Sequence, residues 1–133
     1  MIYIKFSTPG SLFGCILSWY QRLTGCKFWK FSHVALVNHE GGVYSYCENG
    51  VTLGLPQSEP EVYNMIGLMQ DLPPDYHERA VAFFRWYGHF SLLQLRKANC
   101  VSFVRHVSGL SFVSVLPGDL YGELSQRAID TVG

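Results

Sequence analysis

The segment Asn99-Cys100-Val101-Ser102-Phe103-Val104-Arg105-His106-Val107-Ser108-Gly109 reads as a short helix that opens on a thiol. Asn99 is a good N-cap, Val101, Val104 and Val107 return near the helical period, and Gly109 suits a C-terminal stop. Cys100 therefore falls in the first turn, where backbone N–H groups and the positive end of the helix dipole favour thiolate over thiol. Cysteines in such settings titrate between about 3.5 and 7.5, against about 8.5 for a free thiol. A thiolate of this kind attacks carbonyl carbon, and hydrolysis through it needs an imidazole to pair with the sulfur and later protonate the leaving group. The expected partner is His33 in Phe31-Ser32-His33-Val34-Ala35-Leu36-Val37, an apolar run of strand formers carrying one histidine. The other histidines lack that context: His39 lies in a turn beside Glu40, His77 in the first turn of a helix, His89 after a helix-ending glycine, and His106 farther down the Cys100 helix.

A helix-borne thiol and a strand-borne imidazole need a sheet against which the helix start can dock. Ile2, Ile4 and Phe6 alternate as in a strand, which Ser7-Thr8-Pro9-Gly10 breaks. Ser11 can cap a helix ending near Gly25, whose Leu12, Cys15, Ile16, Trp19 and Leu23 recur at helical spacing and read as its core face; Cys15 is thus expected to be buried. The His33 strand and Val43-Tyr44-Ser45-Tyr46-Cys47 form a hairpin across Asn38-His39-Glu40-Gly41-Gly42, and Val51-Thr52-Leu53 and Val62-Tyr63-Asn64-Met65-Ile66 supply further strands around the Pro56 to Pro60 loop. Pro73-Pro74-Asp75 opens a helix with a capping-box pattern from Asp75 to Glu78 and the apolar stripe Tyr76, Ala80, Phe83, Phe84 and Tyr87. Asp119 and Glu123 flank the start of a last helix, where capping is the expected role. The pattern predicts an α+β fold, a small and mostly antiparallel sheet packed against helices, in one domain over residues 1–133.

Composition narrows the function classes. With 133 residues, 48% hydrophobic and 15% aromatic, the chain can build a real core. Ten Lys and Arg balance ten Asp and Glu, and no basic cluster exceeds Arg96-Lys97, so no global field is expected to recruit nucleic acid or an anionic membrane, and no nucleic-acid partner is expected. Met1-Ile2-Tyr3-Ile4-Lys5-Phe6 lacks the basic-then-apolar order of a signal peptide, and no apolar run approaches the ~20 residues that span a bilayer. A cytoplasmic protein with no integral membrane association is the expectation. Cys15, Cys26, Cys47 and Cys100 form no CxxC, which fits reduced thiols, no metal site and no cofactor.

Three stretches in this order, Ser32-His33-Val34-Ala35-Leu36-Val37, the returning strand followed by Gly50-Val51, and Asn99-Cys100-Val101-Ser102-Phe103-Val104, resemble the circularly permuted papain-fold hydrolases. That group includes relatives of the NlpC-type peptidoglycan peptidases and the lecithin:retinol acyltransferase-like proteins, in which an Asn-Cys pair opens the nucleophile helix. The N-terminal strand, the helix up to Gly25 and the closing Pro117-Gly118-Asp119-Leu120-Tyr121 look like small bacterial and phage members. The resemblance implies a third residue on the strand after the histidine, usually histidine, glutamate or another strong polar group, and aligns Ser45 to it. A three-residue loop at Asn38-His39-Glu40 sets Ser45 opposite His33, whereas a two-residue Gly41-Gly42 turn sets Gly50 there and brings Glu48 diagonally near; Glu48 or Asn49 is then the substitute.

The reading that results is a thiol hydrolase of amide or ester bonds. Cys100 is the nucleophile, His33 the base and acid, Ser45 or Glu48 the orienter, and the Cys100 backbone N–H part of the oxyanion site. The resemblance implies peptidoglycan-type peptides first and lipid acyl groups second as substrates; with no export signal expected, a wall-directed role would need a delivery route such as phage-mediated lysis or injection. The alternative is a catalytically inactive papain-like module that binds a partner protein, such as a phage-encoded inhibitor of a host factor.

Overall fold

Alternate residues of the first strand are apolar, and in the computed structural model Ile2, Ile4 and Phe6 are fully buried at the centre of the core. The structure describes residues 2–8, 12–47, 50–55, 63–95 and 97–132. In chain order the elements are β1 (Ile2–Ser7), α1 (Leu12–Leu23), β2 (His33–Val37), β3 (Val43–Cys47), β4 (Gly50–Leu55), β5 (Tyr63–Leu68), α2 (Tyr76–Tyr87), a short 3-10 turn (Leu92–Gln94), α3 (Cys100–Ser108) and α4 (Pro117–Val132). The strands form one antiparallel sheet in the order β4-β3-β2-β1-β5, so the fold is α+β as expected. No described helix is long and apolar enough to cross a membrane.

The strand pairing carries one apolar face through the sheet. Ile4 pairs with Leu36 and with Ile66, Phe6 with Val34, and Leu36 with Tyr44. These residues join Phe83 and Ala80 of α2, Phe103, Val104 and Val107 of α3, and Leu120 and Leu124 of α4 in a single core. Phe83 meets Tyr46 edge-on at 5.2 Å and Phe103 at 5.3 Å, the offset geometry that aromatic quadrupoles favour. At the β4 bulge Gly54 takes a φ of +89°, and a Cβ there would lie 2.9 Å from the Tyr44 hydroxyl, so both the backbone and the packing require glycine.

α1 overturns the expectation for its buried face. The residues it buries are Gly14, Ser18 and Gln21, whereas Leu12 is 78% exposed, Ile16 59%, Trp19 65% and Leu23 74%; Cys15 is exposed too. The polar side wins because it has partners inside. Gln21 Nε2 donates to the carbonyls of Trp29 (3.2 Å) and Phe31 (2.8 Å), and its Oε1 accepts from the Gly118 N–H (2.8 Å). A Cβ on Gly118 would come within 2.6 Å of the Phe28 carbonyl oxygen, which marks how closely α4 approaches this loop.

α2 follows its predicted stripe but not its predicted cap. Asp75 makes no side-chain capping bond and instead accepts from Arg79 Nε at 3.1 Å. Glu123, likewise no cap, accepts from Ser114 N (3.1 Å), Ser114 Oγ (2.7 Å) and Val113 N (3.3 Å), and Arg127 donates to it at 2.9 Å. Burial would raise its pKa, but the Ser114 and Val113 bonds and the Arg127 charge outweigh it and hold the carboxyl below the usual glutamate range. The stability this contributes is present above the pKa of an unfolded glutamate and is lost as pH falls through the lower folded value. Glu123→Gln is expected to cost about 1–2 kcal/mol at neutral pH. In urea titrations the gap to wild type should narrow in acid; a gap independent of pH would contradict the charge-based account.

Candidate active site

Asn99 caps α3 with extended backbone, its Oδ1 accepting from Ser102 N at 2.9 Å while Ser102 Oγ accepts from Asn99 N at 3.0 Å. This reciprocal box satisfies two helix-end donors at once. The Asn99 amide also donates to the Leu95 carbonyl at 2.8 Å, tying the preceding loop to the cap. Gly109 closes the helix in the left-handed conformation with φ 71°. Cys100 is the first helical residue, half-buried, outside any disulfide and packed against the core. The helix-start environment expected from sequence is therefore in place.

Contacts along α2 fix which end of the sheet Cys100 occupies. Tyr46, next to the last residue of β3, stacks on Phe103 at 6.0 Å and donates its hydroxyl to the Gly88 carbonyl, just past α2, at 2.8 Å. At the other end of the strand Tyr44 Oη lies 2.7 Å from Nδ1 of His77, in the first turn of α2. The far end of α3 lies beside that same start of α2, since Arg79 reaches toward the His106 carbonyl and Gly109 is close to Pro73 and Arg79. α2 and α3 thus run antiparallel. The start of α3 lies at the end of the sheet where β3 finishes and β2 begins, and β2 begins with His33.

His33 is half-buried and pairs with Ser7 of β1, while the neighbouring Ser32 N–H donates to the Ser7 carbonyl at 3.1 Å. Strand alternation puts His33, Ala35 and Val37 on one side of β2 and Val34 and Leu36 on the other. Ser45 shares the His33 side and is almost fully buried. Neither hairpin register expected from sequence is adopted. Leu36 pairs with Tyr44 and Val37 with Val43, so Ser45 comes level with Ala35 and lies diagonal to His33. The cause is Asn38, whose Oδ1 accepts from the N–H groups of Glu40 (3.0 Å) and Gly42 (2.7 Å) and whose own N–H donates to Gly42 O (3.0 Å). That side chain closes a longer turn than either alternative assumed. Glu48 and Asn49 lie outside the described residues.

The remaining candidates separate by environment. His39 is exposed beside Glu40 at 3.6 Å, His89 packs on Phe84 at 5.2 Å, and His106 lies 5.8 Å from the Phe83 ring. Burial, then a hydrogen bond to Asp119, pushes the Cys26 thiol up against a weaker opposing pull from the Phe28 backbone, which makes it a poor nucleophile. Burial also keeps the phenols of Tyr44 and Tyr46 protonated beyond the usual range, with Tyr76 adding to the effect at Tyr44. Sequence reasoning passed over Ser32, whose Oγ is buried beside His33 with no hydrogen-bond partner in the structure. Its one sequence signal was its place next to the strand histidine. Among the described residues no group of three His, Cys, Asp or Glu could hold a metal ion. No protein-family model matches the chain, and no curated protein or solved structure matches it.

Proposed function

We propose that this protein is a thiol hydrolase of the permuted papain type, with Cys100 as nucleophile and His33 as base and acid. The observation that carries the reading is the capped start of α3, with the thiol on its first residue, set at the end of the sheet where β2 opens on a histidine. In this reading the His33 imidazole, borne on the face of β2 opposite the Val34 and Leu36 side on which α3 packs, reaches round the start of the strand to the sulfur at that end of the sheet. The thiolate adds to a carbonyl carbon, the Cys100 N–H meets the developing oxyanion, and the imidazolium protonates the departing amine or alcohol. Water then cleaves the thioester with the imidazole as base, which restores the thiol. Peptidoglycan-type peptides are the first substrate class and acyl esters the second. Ser45, on the His33 side of the sheet but diagonal to it, serves as a neutral orienter, weaker than a carboxylate.

Selective alkylation tests the pairing. Iodoacetamide is expected to modify Cys100 near neutral pH, and His33→Ala should slow that reaction about tenfold or more at neutral pH and shift its pH profile upward, because the imidazolium stabilises the thiolate. Ser45→Ala should change the rate only a few fold, in keeping with the roughly 0.5–1.5 kcal/mol of a neutral hydrogen bond. An alkylation profile that His33→Ala leaves unchanged would break the dyad and return the inactive, partner-binding module as the better reading.

A further inference from the structure

The outward face of α1 has no role in the chemistry above. Leu12, Ile16, Trp19, Tyr20 and Leu23 follow helical spacing along one side, and each is more than half exposed. Scattered exposed apolar residues need no explanation, but a continuous stripe of this size on one helix does. The opposite side is committed to the protein through Gln21 and Ser18, so the stripe cannot turn inward without breaking those bonds.

Charge identifies what covers it. The chain is neutral as a whole, yet residues 1–39 contain Lys5, Arg22, Lys27 and Lys30 and no Asp or Glu; every acid in the sequence lies at Glu40 or beyond. Three of these cations lie on α1 or in the loop that follows it. Arg22 lies over the Trp29 ring at 5.1 Å, Lys30 beside the same ring at 5.9 Å, and Lys27 over Phe28 at 5.5 Å. Asp119 approaches this loop from α4, but it is engaged with Cys26. An apolar helical face with Trp and Tyr among its members and a cationic rim is the chemistry of a helix lying in the plane of an anionic bilayer surface. The ring of Phe13, on α1, also meets Phe90 at 5.2 Å, in the loop that leads to Asn99 and Cys100. We infer that α1 docks the protein on anionic lipid surfaces, with Leu12, Ile16, Trp19 and Leu23 entering the headgroup boundary and Arg22, Lys27 and Lys30 facing the phosphates.

Cosedimentation with vesicles of phosphatidylcholine, with and without phosphatidylglycerol, tests this independently of any activity. Wild type is expected to bind the anionic vesicles, more weakly as salt rises, and to bind the neutral ones poorly. The double substitution Ile16→Ser with Trp19→Ser should abolish binding, and the triple change Arg22→Gln, Lys27→Gln and Lys30→Gln should weaken it about fivefold per charge. All of these side chains project outward, so circular dichroism should show each variant folded. The proposal is overturned if wild type stays in the supernatant, or if the serine variant binds like wild type. A stable lipid-free dimer that Trp19→Ser dissociates also overturns it, because a second copy would then own the face.

Discussion

Replacing Cys100 by alanine is expected to lower hydrolysis of activated esters and of peptidoglycan stem peptides by roughly 10⁴-fold or more, because acyl transfer to sulfur is removed altogether. The fold should survive. Cys100 is only half-buried, and the cap that organises the helix start is made by Asn99 and Ser102 without the thiol. A stability loss of about 1 kcal/mol is expected from truncating a side chain that touches the core. Asn99→Ala is the informative companion, since it keeps the sulfur but removes the cap, the Leu95 tether and the fixed geometry of the first turn. It should reduce activity while costing about 1 kcal/mol or more of stability. Turnover by Cys100→Ala near the wild-type rate would refute the mechanism.

Gln21→Ala is expected to be the most destabilising single change on α1, at about 3–5 kcal/mol, a large share of the roughly 5–15 kcal/mol that holds a domain folded. The side chain is fully buried, and its loss leaves the buried N–H of Gly118 unpaired and removes the part-buried bonds to the carbonyls of Trp29 and Phe31. Gln21→Leu should fare little better, because filling the volume does not pair those groups. Leu23→Ser, by contrast, should be nearly neutral, since Leu23 is already 74% exposed. Urea midpoints for the three variants read the orientation of the helix directly. The reverse order, with Leu23→Ser costly and Gln21→Ala tolerated, would mean that α1 presents its apolar side to the core after all.

Much of this was legible in the chain because it rests on local rules. The alternation in Ile2, Ile4 and Phe6, the turn residues after Val37, the stripe of α2 and the Asn99-to-Gly109 helix each use short-range geometry, and each element lies close to where those patterns put it. The placement of Cys100 in the first turn of a capped helix was readable for the same reason, since an N-cap needs only the residues beside it.

What only the tertiary structure decided depends on partners distant in sequence. Periodicity showed that α1 has an apolar side but not which side faces in, and the choice fell to Gln21 because Gly118, far along the chain, supplies a buried N–H that only a polar side chain can satisfy. The hairpin register turned on the Asn38 side chain closing its own turn, which moved Ser45 from beside His33 to beside Ala35. The approach of Cys100 to the His33 end of the sheet follows from the antiparallel packing of α2 and α3 on Tyr44 and Tyr46, a long-range arrangement that no spacing of residues encodes. Composition reported a neutral chain, yet Arg22, Lys27 and Lys30 lie on or just after a helix whose apolar side the fold leaves exposed, because net charge is a sum and a surface field depends on where each charge sits.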